Sequence, residues 1–213
     1  IVDGYRESKE SWRELLLDLK ERGLNYSPKL SIGDGALGFW GALNEVYPDC
    51  LHERCWVHKS RNILNKLPKS LQEQAKKKLN EIYMSDSKKM ALKAYNHFIT
   101  CYGIKYPKVA ESLEKDKKEL LSFYSFPAEH WVHIRSTNPI ESTFSTIKHR
   151  TKKSKNCFSR NTLLAAIFKL SMEAQKRWVP IKGKKRIKEI INLEKFIDGI
   201  NQKNLLVNNT HSK

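Results

Sequence analysis

The chain has 213 residues, of which 39% are hydrophobic and 10% aromatic. This is enough apolar surface for one good-sized folded domain, which excludes an intrinsically disordered chain. No run approaches the roughly 18 apolar residues that a membrane span needs, and no secretory signal opens the chain, so we expect neither a membrane nor a secreted protein. Lys and Arg number 40 against 23 Asp and Glu, a net charge of +17 that is typical of nucleic-acid binding.

The positive charge is concentrated in one stretch. Residues 142–188 contain fourteen Lys and Arg but a single acid, Glu173, so +13 of the net +17 lies there. A solvated lysine-rich face is the alternative explanation, but such faces normally interleave both signs. The pattern therefore favours a surface that contacts nucleic-acid phosphates.

The first third of the chain alternates between helix and strand signals. Apolar residues recur at helical spacing from Ser8 to Arg22, and Gly23 follows as a stop. Alternating short runs and turn residues then predict two strands, each followed by a helix. This order indicates an α/β core. The predicted elements are strand Leu30–Ile32, helix Ala36–Val46, strand Leu51–Trp56 and helix Ser60–Leu67.

The middle of the chain has only helical signals, which predicts an all-α insertion. Its three helices are predicted at Ser70–Met84, Ser87–Tyr102 and Pro107–Tyr124. A further helix begins at Asn138-Pro139, since Asn is a good N-cap and Pro is favoured at the first helical position. Its predicted apolar face carries Ile140, Phe144 and Ile147, and another helix is predicted at Asn161–Trp178.

Asp34 is the first candidate for chemistry, because it follows a predicted strand and lies between two glycines. Sites in open α/β sheets form at the carboxyl ends of strands, and a carboxylate there suits a hard cation such as Mg²⁺. The alternative is that Asp-Gly is only a turn dipeptide.

Glu141 is the second candidate and lies at the start of a predicted helix. Lys148 shares its helix face, so the pair could bind a metal ion and a DNA phosphate side by side. The alternative is an acid that only interacts with the helix dipole.

Cys55 and His58 form a Cys-x-x-His motif. Alone they could be half of a zinc site, but no second pair has suitable spacing, so a structural or site-supporting role is favoured. Trp131, in a cluster with His130 and His133, is expected to serve in packing.

Four runs together resemble the Mutator-type transposases of bacterial insertion sequences. The resemblance covers roughly Glu10 to Gly199, with the motifs in the family's order and separations. The runs are GDGALGFWGAL from Gly33, RCWVHKSRNILNKLP from Arg54, FPAEHW from Phe126 and TNPIESTFSTIKHRT from Thr137.

The resemblance implies an RNase H-like fold in which Asp, Asp and Glu hold two metal ions, Mg²⁺ or Mn²⁺, for DNA cleavage and strand transfer. The second Asp maps onto Asp34 and the Glu onto Glu141, with Cys55 and His58 supporting the site. The family interrupts the fold with a helical insertion. The DNA-binding residues predicted from the basic stretch are Lys148, Arg150, Lys152, Lys153, Lys155 and Arg160.

The sequence departs from the family in two places. Relatives usually have Gln where this chain has Glu53, which puts a hydrogen-bonding role there in doubt. The family's first catalytic Asp lies well upstream, and Asp3, 31 residues before Asp34, is too close to it. We therefore expect a C-terminal fragment that is inactive alone and lacks the region that recognises transposon ends. A non-catalytic DNA-binding remnant is the alternative.

These signals predict a fold class and a set of partners. The fold is α/β, an N-terminally truncated RNase H-like core interrupted by an all-α insertion. Expected partners are double-stranded DNA, as transposon ends and target, and further copies of the chain in the active complex. The expected location is the bacterial cytoplasm, on the nucleoid. The predicted segments are core 1–68, insertion 69–125, core helices with Glu141 in 126–180, and a basic segment and tail 181–213.

Overall fold

A computed structural model describes residues 7–153 and 159–203, so Asp3 and Lys155 lie outside the described residues. The chain forms two compact units. The helical unit comprises Ile1–Ser27, Ala36–Pro48 and Thr137–Ile181, and the mixed unit comprises Pro28–Gly35, Asp49–Ser136 and Lys182–Lys213.

The described residues are mostly helical, with four short strands, which is compatible with the predicted α/β class. None of the described helices is long and apolar enough to cross a lipid bilayer. In chain order the elements are α1 (Lys9–Glu21), β1 (Leu30–Gly33), α2 (Leu37–Val46), β2 (Leu51–Arg54), α3 (Trp56–Leu64), α4 (Lys69–Tyr83), α5 (Lys88–Tyr102), α6 (Pro107–Lys115), α7 (Trp131–Ile134), α8 (Asn138–Lys152), α9 (Arg160–Gln175), α10 (Ile187–Ile191), β3 (Phe196–Ile197) and β4 (Ile200–Asn201).

Helices α1 and α2 pack together in the helical unit, and the prediction of α1 is confirmed. Ser8 caps α1, since its Oγ accepts a hydrogen bond from the Ser11 amide at 3.2 Å. Gly23 follows the helix with a φ of +113°, a conformation that L side chains rarely adopt. The aromatic rings of Trp12 and Phe39 lie edge to face with centroids 4.9 Å apart, which joins the two helices.

Helices α8 and α9 form the second packed pair of the helical unit. Asn138 is the first residue of α8 rather than its N-cap, which is Thr137, so the predicted start was wrong by one residue. The predicted apolar face was also partly wrong: Ile147 is buried, but Ile140 and Phe144 are 58% and 60% exposed. Burial depends on a packing partner, which periodicity within one helix does not specify.

The sheet of the mixed unit is a parallel pair, with β1 residues Leu30 to Gly33 opposite β2 residues Leu51 to Arg54. The Cys55 amide extends the ladder by donating to the Gly33 carbonyl at 2.8 Å. The second strand was predicted to reach Trp56, but β2 ends at Arg54 and Trp56 begins α3. The prediction failed there because Trp56 is buried in the core of the mixed unit. Its indole N–H donates to the carbonyl of Leu120, 64 residues later in the chain, at 2.7 Å.

The core of the mixed unit is built mainly from α3 to α6 and the segment that follows them. The predicted helices at 70–84 and 87–102 are confirmed as α4 and α5. The third was predicted to reach Tyr124 but ends at Lys115, and a 3-10 helix, Glu119–Ser125, follows. Trp131 packs against Phe123 and Tyr124 as expected, and its indole N–H donates to the Phe126 carbonyl.

The C-terminal part of the mixed unit contains a hairpin that the sequence did not predict. Strands β3 and β4 pair antiparallel around a tight turn at Asp198 and Gly199. Asn201 lies in the segment 181–213 that was predicted as a basic segment and tail, but it is buried and its amide donates to Glu189 and Glu194. This side chain therefore fastens the hairpin to α10.

Candidate functional site

Asp34 occupies the position that the sequence predicted, directly after β1 in the mixed unit. Its side chain is exposed, and β1 is one strand of the parallel pair. Gly35 follows with a φ of +97°, so the turn requires a residue without a side chain. An exposed carboxylate at a strand end is the oxygen donor that a divalent cation requires.

A buried guanidinium lies beneath this turn. A Cβ added to Gly35 would lie 1.6 Å from Nη1 of Arg54 and 2.0 Å from its Cζ, so the Arg54 side chain fills the space that glycine leaves. Arg54 is the last residue of β2 and is 8% exposed. Sequence reasoning did not select Arg54 as a site residue, although it lies inside the quoted RCWVHKSRNILNKLP run.

Asp116, at the end of α6, joins Arg54 to a second cation. Its Oδ2 lies 3.0 Å from Nε of Arg54 and 2.7 Å from Nζ of Lys59, which is itself buried. Burial lowers the pKa of Lys59, and the Asp116 carboxylate opposes that shift. The three residues form an ion triad that connects β2 to α3 and to the end of α6.

Cys55 and His58 lie together in the mixed unit. The Cys55 Sγ is 3.3 Å from Nδ1 of His58, and Cys55 is fully buried. Cys55 is the N-cap residue of α3, which places the two side chains on the first turn of that helix. The expected site-supporting role and the absence of a four-ligand zinc centre both stay predictions.

Glu53 precedes Arg54 on β2 and is fully buried. Its Oε2 accepts a hydrogen bond from the Phe123 amide at 2.8 Å, so a hydrogen-bonding role is kept at this position. Burial raises the pKa of Glu53 well above its ordinary value, and the Phe123 hydrogen bond and the charge of Arg135 only partly oppose it. A protonated Glu53 is neutral and has both a hydrogen-bond donor and an acceptor, as a glutamine does.

Glu141 belongs to the helical unit, where it lies in the first turn of α8 as predicted. The Thr137 hydroxyl donates a hydrogen bond to its Oε1. Asp34 and Glu141 lie in different units, and the expectation that their carboxylates come within about 10 Å of each other, close enough to share a metal site, stays a prediction.

The predicted DNA-binding cations that the structure describes are all exposed. They are Lys148, Arg150 and Lys152 on α8, Lys153 directly after it, and Arg160 at the start of α9. Arg150 also lines a cleft of about 380 Å³ between α8 and α9, together with Arg177 and Trp178. Two guanidinium groups and an indole in one cleft are groups that contact phosphates and stack on bases.

Residues 2–180 match the family model described as "Transposase, Mutator family". This chain belongs to that family. The match covers both Asp34 and Glu141, so the resemblance first seen in four motifs extends across most of the chain.

Three curated relatives are named as transposases for insertion sequence elements. The IST2 protein of Acidithiobacillus ferrooxidans is 54% identical over 200 residues, covering 94% of this chain and 68% of the relative. The IS6120 protein of Mycolicibacterium smegmatis is 49% identical over 178 residues, covering 84% and 55%. The IS905 protein of Lactococcus lactis is 37% identical, covering 69% and 37%. The chain therefore spans between about a third and two thirds of these relatives' lengths.

Proposed function

We propose that this chain is the C-terminal part of a DDE transposase that cleaves DNA and joins strands by metal-dependent phosphoryl transfer, on an RNase H-like core. The observation that carries the proposal is Asp34, an exposed carboxylate at the carboxyl end of a parallel strand pair, in a chain of the Mutator family. Ligand sites of open α/β sheets form at such strand ends. Relatives that cover most of this chain are named as insertion-sequence transposases.

The donor groups fit Mg²⁺ or Mn²⁺. Asp34 and Glu141 both offer carboxylate oxygens, which are the ligands that these cations prefer, and both side chains are exposed. When bound, a metal pair polarises the scissile phosphate and stabilises the attacking and leaving oxygens. Glu141 is held by the hydroxyl of Thr137 at a helix N-terminus, which orients its carboxylate.

The remaining carboxylate of the proposed triad is the first Asp of the family, which we expect on a segment upstream of this chain. Cys55 and His58 are proposed to support the strand end, since β2 runs directly into the turn that carries them. Lys148 lies two helical turns after Glu141 and is proposed to contact a DNA phosphate.

The proposed partner is double-stranded DNA, as transposon end and as target, in an oligomer of this protein on the bacterial nucleoid. Support comes from the fourteen cations against one acid in residues 142–188 and from the exposure of those on α8. Phosphate contacts of this kind bind DNA without reading its sequence.

The test is a strand-cleavage and strand-transfer assay with the protein as its gene encodes it. Asp34→Asn and Glu141→Gln each keep the shape of the side chain and remove its charge, so each should abolish Mg²⁺- and Mn²⁺-dependent cleavage. The control is Glu73→Gln, which removes an exposed carboxylate from an ion pair on α4. Full activity of either site variant would contradict the assignment.

The same assay decides the alternative, a non-catalytic DNA-binding remnant. A protein that binds duplex DNA but never cleaves it, with either metal, would establish that alternative. This chain alone is expected to bind DNA without cleaving it, because it supplies two of the three carboxylates.

A further inference from the structure

We propose that Arg54 is a positioning residue for Asp34, held in place by Asp116 so that its guanidinium supports the Asp34–Gly35 turn. The inference rests on the proposed function to the extent that Asp34 is a metal ligand. In this proposal Asp116, at the end of α6, controls the geometry of the strand end through Arg54. All four residues belong to the mixed unit.

The first step is the close approach of Arg54 to Gly35. Three guanidinium atoms lie within 2.5 Å of the place where a Gly35 Cβ would be, so the guanidinium lies against the backbone of the turn. Arg54 and Gly33 are partners in the parallel ladder, which places the arginine at the end of β1. Movement of the guanidinium would remove the support beneath the residue that follows Asp34.

The second step is the restraint on Arg54 itself. A flexible arginine could swing away from the turn, but this side chain is buried and its Nε lies 3.0 Å from Oδ2 of Asp116. Lys59 shares the same oxygen at 2.7 Å, which fixes the carboxylate from a second direction. The Nε atom of Arg54 is therefore held by the ion pair with Asp116, while the rest of the guanidinium lies against Gly35.

The third step is a donor that the fold does not use. Nε and Nη1 of Arg54 are both buried, and neither has a hydrogen-bond partner among the described residues; Nε forms an ion pair with Asp116, whereas Nη1 lies at the turn. A buried guanidinium donor without a partner is costly and calls for an explanation. Of the atoms around the place where a Gly35 Cβ would be, Nη1 is the nearest, so this unpaired donor lies at the turn that carries Asp34.

The experiment measures Mn²⁺ affinity and amide hydrogen exchange of residues 33–37 in the 213-residue chain. Arg54→Lys keeps the charge but loses the planar fork, and Asp116→Asn removes the carboxylate that holds it. Each should weaken Mn²⁺ binding about 10-fold, as the loss of a residue that orients a ligand typically does. Each should also speed exchange at residues 33–37, while melting shows that the chain stays folded.

Two control variants separate positioning from general damage. Glu73→Gln makes the same charge change as Asp116→Asn in an exposed ion pair and should alter neither measurement. Lys59→Met removes the second cation but leaves the pair between Arg54 and Asp116, so exchange at the turn should change less than in Asp116→Asn.

The outcomes are distinguishable from those of the proposed function. If Asp34→Asn leaves Mn²⁺ binding unchanged, the metal assignment of Asp34 fails, and exchange at residues 33–37 alone decides the role of Arg54. Unchanged exchange in both Arg54→Lys and Asp116→Asn would overturn the positioning role. Faster exchange at residues 33–37 in both variants, with exchange in Glu73→Gln equal to that of the wild type, would establish the positioning role.

Discussion

The mixed unit and the α8–α9 part of the helical unit bury their apolar side chains to very different extents. In the mixed unit, α4 to α6 and the following 3-10 helix place large residues such as Phe98, Leu79 and Phe123 out of contact with solvent. In the helical unit, α1 and α2 contribute buried residues, but α9 has none and α8 has one, Ile147. Both regions have amphipathic helices in sequence, so the difference teaches that periodicity predicts a helix more safely than it predicts a core.

The charged side chains of the same two regions also differ in their exposure. The α8 to α9 region carries exposed cations beside exposed Ile140 and Phe144, whereas two cations of the mixed unit, Arg54 and Lys59, are buried and pair with Asp116. A surface rich in cations and aromatic residues is suited to a charged macromolecular partner. In the proposed function, the mixed unit supplies the strand end that carries Asp34, and the helical unit supplies the DNA-binding surface.

The largest expected effect tests the difference in burial between the mixed unit and α8. Phe98→Ala removes a fully buried ring from the mixed unit and should lower the free energy of unfolding by about 3–5 kcal/mol. Phe144→Ala removes a ring that is 60% exposed on α8 and should change it by no more than about 0.5 kcal/mol. Denaturant unfolding of both variants measures the contrast. Equal losses would show that the helical unit has a core of its own at Phe144.

The second prediction compares the cations of the two units. Changing Lys152, Lys153 and Lys155 together to Glu should weaken duplex DNA binding at least 100-fold, or about 2.8 kcal/mol. Because each phosphate contact contributes about 0.9 to the slope of log affinity against log salt, the slope should fall by up to about 2.7. Salt titration of binding is the measurement.

Its control reverses Lys76, Lys77 and Lys89, three exposed lysines of the mixed unit, and should have a much smaller effect. Glu141→Gln should leave metal-free binding unchanged, because phosphate neutralisation does not use the carboxylate. A salt slope that is flat, or equal for the two triple variants, would refute a binding surface on α8 and α9.

The smallest expected effect concerns pH and the buried Glu53. Its folded pKa is raised, so the folded state holds a proton that the unfolded chain releases near the ordinary value of 4.5. The contribution of Glu53 to the free energy of unfolding is therefore fully present below pH 4.5. It is lost as the pH rises toward the folded pKa, by at most about 1.4 kcal/mol per pH unit.

Glu53→Gln should remove this slope, because the amide stays neutral and still accepts from the Phe123 amide. Urea unfolding of wild type and variant between pH 4 and 8 gives the difference. Glu73→Gln, an exposed change of the same kind, should keep the wild-type slope. Parallel curves for wild type and Glu53→Gln would mean that Glu53 is charged in the folded protein.

Sequence signals were most informative where one residue and its chain neighbours decide the structure. Ser8 and Gly23 delimited α1, and Asp34 was placed at a strand end from the pattern around it. Trp56 was misplaced because its partner, Leu120, is 64 residues away. The ion pair of Arg54 with Asp116 and the hydrogen bond of Glu53 to Phe123 escaped prediction for the same reason, since both join positions more than 60 residues apart.

The hairpin formed by β3 and β4 sets a practical limit on shortening this protein. Asp198 in its turn accepts a hydrogen bond from the Lys88 amide at 2.6 Å, at the first residue of α5, and Gly199 donates to the Tyr124 carbonyl. A few residues late in the chain therefore secure a helix begun 110 residues earlier. Proteolysis or a stop codon before residue 196 would remove the contacts with the start of α5 and with the 3-10 helix Glu119–Ser125. Such truncated products should be sensitive to degradation although they retain Asp34 and Glu141.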